Sequence, residues 1–298
     1  MTTNEKLAAL RRYMKEAGVN AYLVPSSDPH MSEYLPEHWK VRAYLSGFDG
    51  SAGTLVVTEE KSALWTDGSY FIQAGRQLYG SEIQLLRLDV EGTPGVETFL
   101  RDNLPDGGRI GVEYMTLATA TAKNLDDENG EKGLRTLDLP LPADLWPDRP
   151  PVPKTEIWAL APDQTGKSAW EQIDALRGNL ADQGCDAMMV CRLDDLAWLT
   201  NLRGADVATT PVSLGTCGWN PQGRFCLRTW SACPRKFVPI WKGKALRWRG
   251  TTKSFPLWLV CRKSLPACWI EKEAITLCAR LWKGTKTFSS WRAQLRSS

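Results

Sequence analysis

The sequence contains few histidines and lacks any long apolar run. Its 298 residues include only two His, His30 and His38, and no stretch of about 18 apolar residues, the length that crosses a bilayer. We therefore expect no membrane-spanning segment. The first 20 residues show neither an uninterrupted apolar stretch nor a cleavage-like site, so no secretory signal is expected and a cytoplasmic location is predicted.

Acidic residues are nearly missing from the last part of the chain. Residues 213–298 hold 17 Lys or Arg against two acids, Glu271 and Glu273, which gives a net charge of +15. Residues 1–212 hold 20 basic and 32 acidic residues, a net charge of −12. Eight of the 14 Trp and six of the eight Cys also lie after residue 212. The chain thus joins two different compositions.

The six cysteines of this basic part form no recognisable framework. They show no paired C-x-x-C spacing and no accompanying His, so a structural zinc site is a poor interpretation. Disulfides are not expected without a sign of secretion. Apolar periodicity is lost from about residue 208, except for one helical stretch over residues 271–282. Residues 211–298 are therefore predicted to form an irregular tail.

Helix and strand patterns alternate along the first 139 residues. Leu7, Leu10 and Met14 recur at helical spacing, and Gly18 follows where helices commonly end in a left-handed residue. A further helix is predicted over residues 70–78. Strands are predicted over residues 21–24, 54–58, 62–66, 83–88, 109–112 and 134–139. This mixture predicts α/β layers.

The same pattern begins again after a proline-rich stretch. Residues 140–153 contain six prolines, each of which fixes φ and removes a donor, so no long regular element forms there. A helix over residues 170–183, then Gly184 and a strand over residues 187–191, repeat the earlier order and predict a duplicated α/β unit. The predicted divisions are domain I (1–147), a linker (148–153), a partial domain II (154–210) and the tail (211–298).

Four ordered segments resemble the aminopeptidase P family of Xaa-Pro aminopeptidases, within the creatinase superfamily. They are SEY (32–34), RAYLSGFDGSAGT (42–54), LWTDGSYF (64–71) and LDDLAWLTNLRGADV (193–207). The resemblance implies two creatinase N-terminal-type α/β domains, each a mixed sheet flanked by helices, that precede a catalytic domain in full-length members. It also implies removal of the first residue from peptides whose second residue is Pro. Two metal ions, usually manganese, would be held by two Asp, one His and two Glu.

Two departures from the family bear on activity. The family motif Trp-Thr-Asp-Gly-Arg-Tyr carries an Arg that can reach the bound peptide, and Ser69 stands at that position, which makes it the candidate substrate-contact residue. After residue 207 the chain has no Asp, no His and only two Glu, so the metal-binding set of the family has no counterpart. We therefore expect no catalytic or metal-ligating residues, no bound metal, and no peptidase activity from the chain alone.

Three interpretations of the chain stay open. The resemblance stops abruptly after residues 210–212, which favours a frame-shifted or mis-spliced translation of the tail. A second interpretation is a pseudoenzyme that forms a homodimer, or a heterodimer with an intact relative, through domain I. A third is a tail that binds nucleic acid, because Lys and Arg interleaved with Trp can neutralise phosphates and stack on bases, although no nucleic-acid module is recognisable.

Several polar residues suggest chemistry but are assigned structural roles. His30 and His38 are eight residues apart with Pro36 between them, so hydrogen bonding is predicted rather than metal binding. The TGKS sequence at residues 165–168 lacks the earlier glycine of a phosphate-binding loop and is predicted to begin a helix. Four aspartates near glycine turns or helix starts are predicted to cap backbone donors: Asp49, Asp67, Asp194 and Asp195.

Overall fold

The computed structural model describes residues 1–182, 185, 188–219, 225–229 and 246–248, with side chains as far as residue 218. The described chain divides into two compact units. Unit 1 comprises residues 1–28 and 37–151, and unit 2 comprises residues 29–36 and the described residues from 152 onward. Both units mix helices and strands, which confirms the predicted α/β class. Within the described ranges, the helices are too short or too polar to traverse a bilayer.

Unit 1 is built around one mixed six-stranded sheet in the order β4-β3-β2-β1-β5-β6. β2 pairs antiparallel with β1 and β3, and the remaining neighbours are parallel. The predicted strands are all present. The elements are α1 (Thr3–Ala17), β1 (Ala21–Pro25), α2 (Val41–Ser46), β2 (Thr54–Thr58), β3 (Ser62–Thr66), α3 (Phe71–Gln77), β4 (Ile83–Arg87), α4 (Val96–Asn103), β5 (Arg109–Val112), α5 (Thr119–Glu128) and β6 (Arg135–Asp138).

The first helix ends as its sequence predicts and begins with a capping box. Thr2 and Glu5 form a capping box, in which the Glu5 N–H donates to Thr2 Oγ1 at 3.3 Å and the Thr2 N–H donates to Glu5 Oε2 at 2.7 Å. Gly18 ends the helix in the left-handed region, with φ of 65°. The periodic apolar residues Leu7, Leu10 and Met14 are buried in the main core of unit 1.

The proline-rich stretch is irregular but tightly held, and we call residues 139–150 the strap. Leu141, Leu145 and Trp146 are buried in the core of unit 1. Three tyrosine hydroxyls donate to strap carbonyl oxygens: Tyr22 to Leu139 at 2.7 Å, Tyr13 to Pro140 at 3.0 Å and Tyr44 to Leu145 at 2.8 Å. The Tyr44 ring also stacks on Trp146, with centroids 4.4 Å apart. Side-chain contacts therefore hold the strap in place, although its prolines prevent regular secondary structure.

Unit 2 repeats the helix–strand–helix order and ends in a second sheet. Its elements are β7 (Trp158–Ala159), α6 (Pro162–Thr165), α7 (Ala169–Asp182), β8 (Met188–Val190), α8 (Leu193–Thr200), β9 (Leu202–Arg203), β10 (Gly215–Trp219), β11 (Phe225–Thr229) and β12 (Leu246–Trp248). The strand order is β12-β11-β10-β8 in one sheet, and β7 pairs with β9 in another.

The structure differs from the sequence prediction at the start of the tail. Residues 215–219, expected to be irregular, form β10, which pairs antiparallel with both β8 and β11. Gly218 is the reason the pattern was hidden, since it packs so closely on β8 that a side chain there would meet the carbonyl oxygen of Met188. The helix predicted over residues 271–282 lies outside the described residues.

Corresponding helices of the two units end in the same way. Gly47 after α2 and Asn201 after α8 both adopt left-handed conformations, with φ of 75° and 56°. The preceding hydroxyl residue, Ser46 or Thr200, donates to the carbonyl four residues earlier, at 2.7 Å and 2.6 Å respectively. Each hydroxyl also accepts the N–H two residues later. This shared pattern supports the predicted duplication.

Two glycines of unit 2 have opposite steric surroundings, which predicts opposite effects of alanine. A Cβ added at Gly178, inside α7, meets nothing within 4 Å, so Gly178→Ala should stabilise the chain by about 1 kcal/mol through helix propensity. A Cβ at Gly204 would lie 2.7 Å from Ser213 Cβ, so Gly204→Ala should destabilise it by about 1–3 kcal/mol. Thermal unfolding of the full chain measures both, and equal effects of the two substitutions would contradict this prediction.

Candidate functional site

Two segments with family-like motifs lie side by side in unit 1: the loop of residues 47–53, and the turn and helix of residues 67–77. The Tyr70 hydroxyl and Ser51 Oγ are hydrogen-bonded at 2.8 Å, and the Tyr70 ring packs edge-on against Phe48 with centroids 5.8 Å apart. A Cβ at Gly50 would lie 2.7 Å from Tyr70 Cδ1, so this close approach requires glycine. We treat this pair of segments as the candidate site.

Arg42 holds the loop from beneath. Its Nε donates to Ser26 Oγ at 2.7 Å, its Nη1 donates to the Phe48 carbonyl oxygen at 3.0 Å, and its Nη2 donates to the carbonyl oxygen of Gly50. The guanidinium carbon also lies 4.6 Å from the centroid of the Phe48 ring. Burial lowers the pKa of Arg42 to about 10, so the side chain stays charged at neutral pH. One buried cation thus satisfies the inward-facing carbonyl groups of the loop.

Asp49 joins the loop to α3. Its Oδ1 accepts hydrogen bonds from Gln77 Nε2 and Gln73 Nε2, both at 2.7 Å, and its own N–H donates to Gln77 Oε1 at 3.2 Å. These bonds, that from Gln77 foremost, hold the pKa of the Asp49 carboxyl below its usual range, and Arg42 contributes in the same direction. The predicted capping role of Asp49 is wrong, because its carboxylate accepts from side chains of another element.

Asp67 does cap a backbone donor, as predicted. Its Oδ1 accepts the N–H of Ser69 at 2.8 Å, at the start of the 3₁₀ turn Gly68–Tyr70. Ser69 itself is exposed on this turn. Its role as the substrate-contact position stays a prediction that rests on the family resemblance.

Asp194 and Asp195 lie in the first turn of α8, but neither occupies its N-cap position, which belongs to Arg192. Neither residue is the N-cap of α8, although the Asp194 carboxylate does meet backbone N–H groups of Asp194 and Asp195 in the first turn. Their carboxylates also lie 3.3 Å and 4.0 Å from the Arg192 guanidinium. Negative charge in the first turn remains favourable because of the helix dipole.

The two histidines make hydrogen bonds, as predicted, and they belong to different units. His30 is buried in unit 2, where its Nδ1 lies 3.0 Å from the Cys191 carbonyl oxygen. His38 belongs to unit 1, and its Nδ1 lies 2.6 Å from the Pro150 carbonyl oxygen. Among the described residues, no group of three or more His, Cys, Asp or Glu could hold a metal ion.

The TGKS sequence begins a helix, as predicted. Ser168 and Glu171 exchange capping hydrogen bonds at the start of α7, with Ser168 Oγ accepting the Glu171 N–H at 3.3 Å. The Asn201 side chain occupies the preceding turn, where its Nδ2 donates to the Lys167 carbonyl oxygen at 2.8 Å. The Lys167 carbonyl group of this segment is thus hydrogen-bonded within unit 2.

Sequence reasoning missed one buried carboxylate, Asp206 of unit 2, which is 4% exposed. Its oxygens accept hydrogen bonds from the Thr155 N–H at 2.8 Å, from Thr155 Oγ1 at 2.7 Å and from the Leu214 N–H at 2.8 Å. The partners are 51 and eight residues away along the chain, so no local pattern reveals them. Asp206 closes the loop that follows β9.

The two halves of the described chain match the same domain family. Residues 6–139 match a model of the creatinase/prolidase N-terminal domain, and residues 148–222 match a second model with the same description. The fold is therefore that of two consecutive creatinase-type N-terminal domains. The shared description confirms that the weak repeat in the sequence is a domain duplication.

Relatives that are 38–40% identical to this chain over the matched residues are Xaa-Pro aminopeptidases. Aminopeptidase P2 of Arabidopsis thaliana is 38% identical over 218 residues, which cover 71% of this chain and 31% of the relative. A probable Xaa-Pro aminopeptidase P of Neurospora crassa is 40% identical over 216 residues, with the same two shares. The chain belongs to the aminopeptidase P family. It spans about a third of the length of the curated relatives it matches.

A solved structure shares the fold over most of the chain. The X-prolyl aminopeptidase of Caenorhabditis elegans, described as a cytosolic enzyme with a di-nuclear active site, superposes with a TM-score of 0.75 and 29% sequence identity. The superposition covers 83% of this chain and 42% of the C. elegans chain.

Replacing Arg42 should loosen the candidate site. Arg42→Met leaves the carbonyl oxygens of Phe48 and Gly50 without their buried donor, and we expect a loss of about 3 kcal/mol in the free energy of unfolding. Arg42→Lys should recover less than half of this loss, because one ammonium cannot reproduce the planar fork. Exposed Arg76→Met is the matched control and should change stability by less than about 0.5 kcal/mol. Chemical denaturation measures all three, and a loss no larger than that of the control would refute the assignment.

Proposed function

We propose that this chain represents the non-catalytic N-terminal part of an Xaa-Pro aminopeptidase. Such an enzyme removes the first residue from peptides whose second residue is Pro. The supporting observation is the pair of consecutive creatinase-type domains, which are 38–40% identical to Xaa-Pro aminopeptidases of Arabidopsis and Neurospora. In this proposal the candidate site contributes to peptide recognition through the exposed turn that carries Ser69, and a catalytic domain supplies the chemistry.

We further propose that the chain alone does not cleave peptides. The C. elegans enzyme is described as having a di-nuclear active site, and the family resemblance implies two metal ions, usually manganese. Hard divalent cations in hydrolytic sites need carboxylate and imidazole ligands. After residue 207 the sequence contains no Asp, no His and two Glu, so the residues present do not fit a paired-metal centre.

Location and assembly complete the proposal. A cytosolic location is supported by the description of the C. elegans relative as a cytosolic enzyme. Dimerisation through domain I, with a second copy or with an intact relative, stays a prediction. Gel filtration coupled to light scattering, first with the chain alone and then with an equimolar intact relative, tests it directly.

Metal binding and peptide turnover test the proposed lack of activity. The purified chain, incubated with excess Mn²⁺ and then dialysed, should retain far less than one metal ion per chain, because it lacks the required donors. A fluorogenic peptide with Pro in second position should not be cleaved. The full-length C. elegans enzyme in the same assay provides the positive control. Two retained metal ions per chain together with turnover would refute the proposal.

Ser69 offers a test of whether the site can carry the arginine found in the family. Because Ser69 is exposed, Ser69→Arg should change the free energy of unfolding by less than about 0.5 kcal/mol. Ser62 is the matched control, since it is 3% exposed and is bonded to both Arg11 and Glu82. Ser62→Arg should destabilise by several-fold more, by burying a second cation beside Arg11. Thermal unfolding distinguishes the outcomes, and a destabilised Ser69→Arg chain would show that the turn cannot carry arginine.

A further inference from the structure

The end of the strap is fastened to unit 1 by a reciprocal pair of hydrogen bonds. His38 Nδ1 lies 2.6 Å from the Pro150 carbonyl oxygen, and Arg149 Nε donates to the His38 carbonyl oxygen at 2.9 Å. Two neighbouring strap residues thus bond to one residue of the segment that precedes α2. These bonds lie at the last residues of unit 1, immediately before the chain enters unit 2.

Aromatic rings and one carboxylate surround this contact. The Arg149 guanidinium carbon lies 5.7 Å from the ring centroid of Trp39 and 5.5 Å from that of Trp146. Its Nη2 lies 3.9 Å from Glu113 Oε2, with both side chains less than a fifth exposed. The His38 ring meets Trp39 edge-on, with centroids 4.6 Å apart. The imidazole therefore lies in a partly dehydrated environment that already contains one cation.

The contacts of the earlier part of the strap, residues 139–146, are insensitive to mild acid. They are apolar packing and the tyrosine bonds already described, and burial raises the pKa of Tyr13, Tyr22 and Tyr44 further above its usual range. A phenol bond therefore keeps the same charge between about pH 5 and pH 7. Imidazole is the side chain whose ordinary pKa falls within this interval.

We propose that His38 is a proton-operated latch, which docks the end of the strap at neutral pH and releases it in mild acid. The Nδ1 proton makes the bond to Pro150 in the neutral ring, so acid adds its proton at Nε2. That second cation would be close to Arg149 and only partly hydrated, which favours a released, solvated ring.

The sign of the effect follows from the pKa of His38. Burial foremost, together with Arg149, lowers the pKa of His38 below its ordinary 6.5, and the bond to Pro150 offsets part of this lowering. The released ring then binds its proton more tightly than the docked ring. Docking is therefore fully favourable above about pH 6.5 and weakens as the pH falls toward the lowered pKa, by up to about tenfold for each pH unit between the two pKa values.

The neighbouring charges do not produce the same effect. Burial raises the pKa of Glu113, with Asp138 acting in the same direction and Arg149 opposing it, so the docked carboxyl takes up its proton more readily than an exposed one. Its titration therefore favours docking in acid. Glu37 and Lys40 form an ion pair on the turn that carries His38. Burial lowers the pKa of Lys6, and Asp148, the neighbouring strap charge, opposes part of this lowering.

Hydrogen exchange of the strap amides tests the latch in the intact chain. The N–H groups of Leu145 and Arg149 are bonded within the strap, to the carbonyl oxygens of Pro142 at 3.2 Å and Trp146 at 3.1 Å. Their protection, corrected for intrinsic exchange, should fall between about pH 7 and pH 5.5. Amides of β2 should keep their protection. In His38→Asn, whose amide nitrogen can replace Nδ1 but does not titrate, strap protection should stay constant with pH.

Each remaining outcome overturns the latch. A flat response in the unmodified chain, an equal loss in His38→Asn, or a parallel loss in β2 would each do so. Glu113→Gln separates the two titrating groups and should lose strap protection in acid at least as strongly as the unmodified chain, because it removes a group whose titration opposes release. If that response disappears, the carboxyl operates the release instead. An NMR titration of the unmodified chain adds an independent criterion, because a His38 pKa at or above 6.5 removes the driving force.

Discussion

A helix that must end in a left-handed residue directs the chain into the central loop of each domain. In both units a buried hydroxyl, Ser46 or Thr200, bonds back to its own helix and accepts the N–H that follows the reversal. Domain I uses Gly47 there, for which positive φ is inexpensive. Domain II uses Asn201, whose side chain offsets the strain by bonding to Gln172 and to the TGKS turn. One backbone constraint thus has two chemical solutions after duplication.

Elements with several apolar repeats or a glycine stop could be predicted from the sequence, as in α1 and the β2–β3 hairpin. Three helices of unit 1 could not: α2 spans only six residues, α4 buries only Phe99 and Leu100, and α5 buries only Ala122 and Leu125. Two apolar positions do not define a period. β10 could not be predicted for another reason. Gly218 weakens the strand pattern in the sequence, yet it allows β10 to pack closely against β8.

Candidate-site residues were predictable only where their partners are local. Asp67 caps an N–H two residues away, so its motif predicts its role. Asp49 bonds to glutamines 24 and 28 residues away, and Asp206 bonds to Thr155 at 51 residues. Only the fold brings these groups together. The role of a carboxylate therefore cannot be assigned from the sequence when it bonds to a distant element. The same holds for Arg42, whose buried hydrogen bonds to the loop become apparent only in the structure.

Several carboxylates of the described domains are engaged in internal bonds that hold the fold. The described domains use their carboxylates for internal bonds: Asp49 to α3, Asp206 across unit 2, and Glu113 beside Arg149. A carboxylate already engaged by neutral or cationic donors is a poor ligand for a hard cation, because binding would first break those bonds. Among the residues that the structure describes, the acidic side chains accordingly form no group of three or more that could hold a metal ion. Under the proposed function, the metal-binding donors would therefore have to come from outside these two domains.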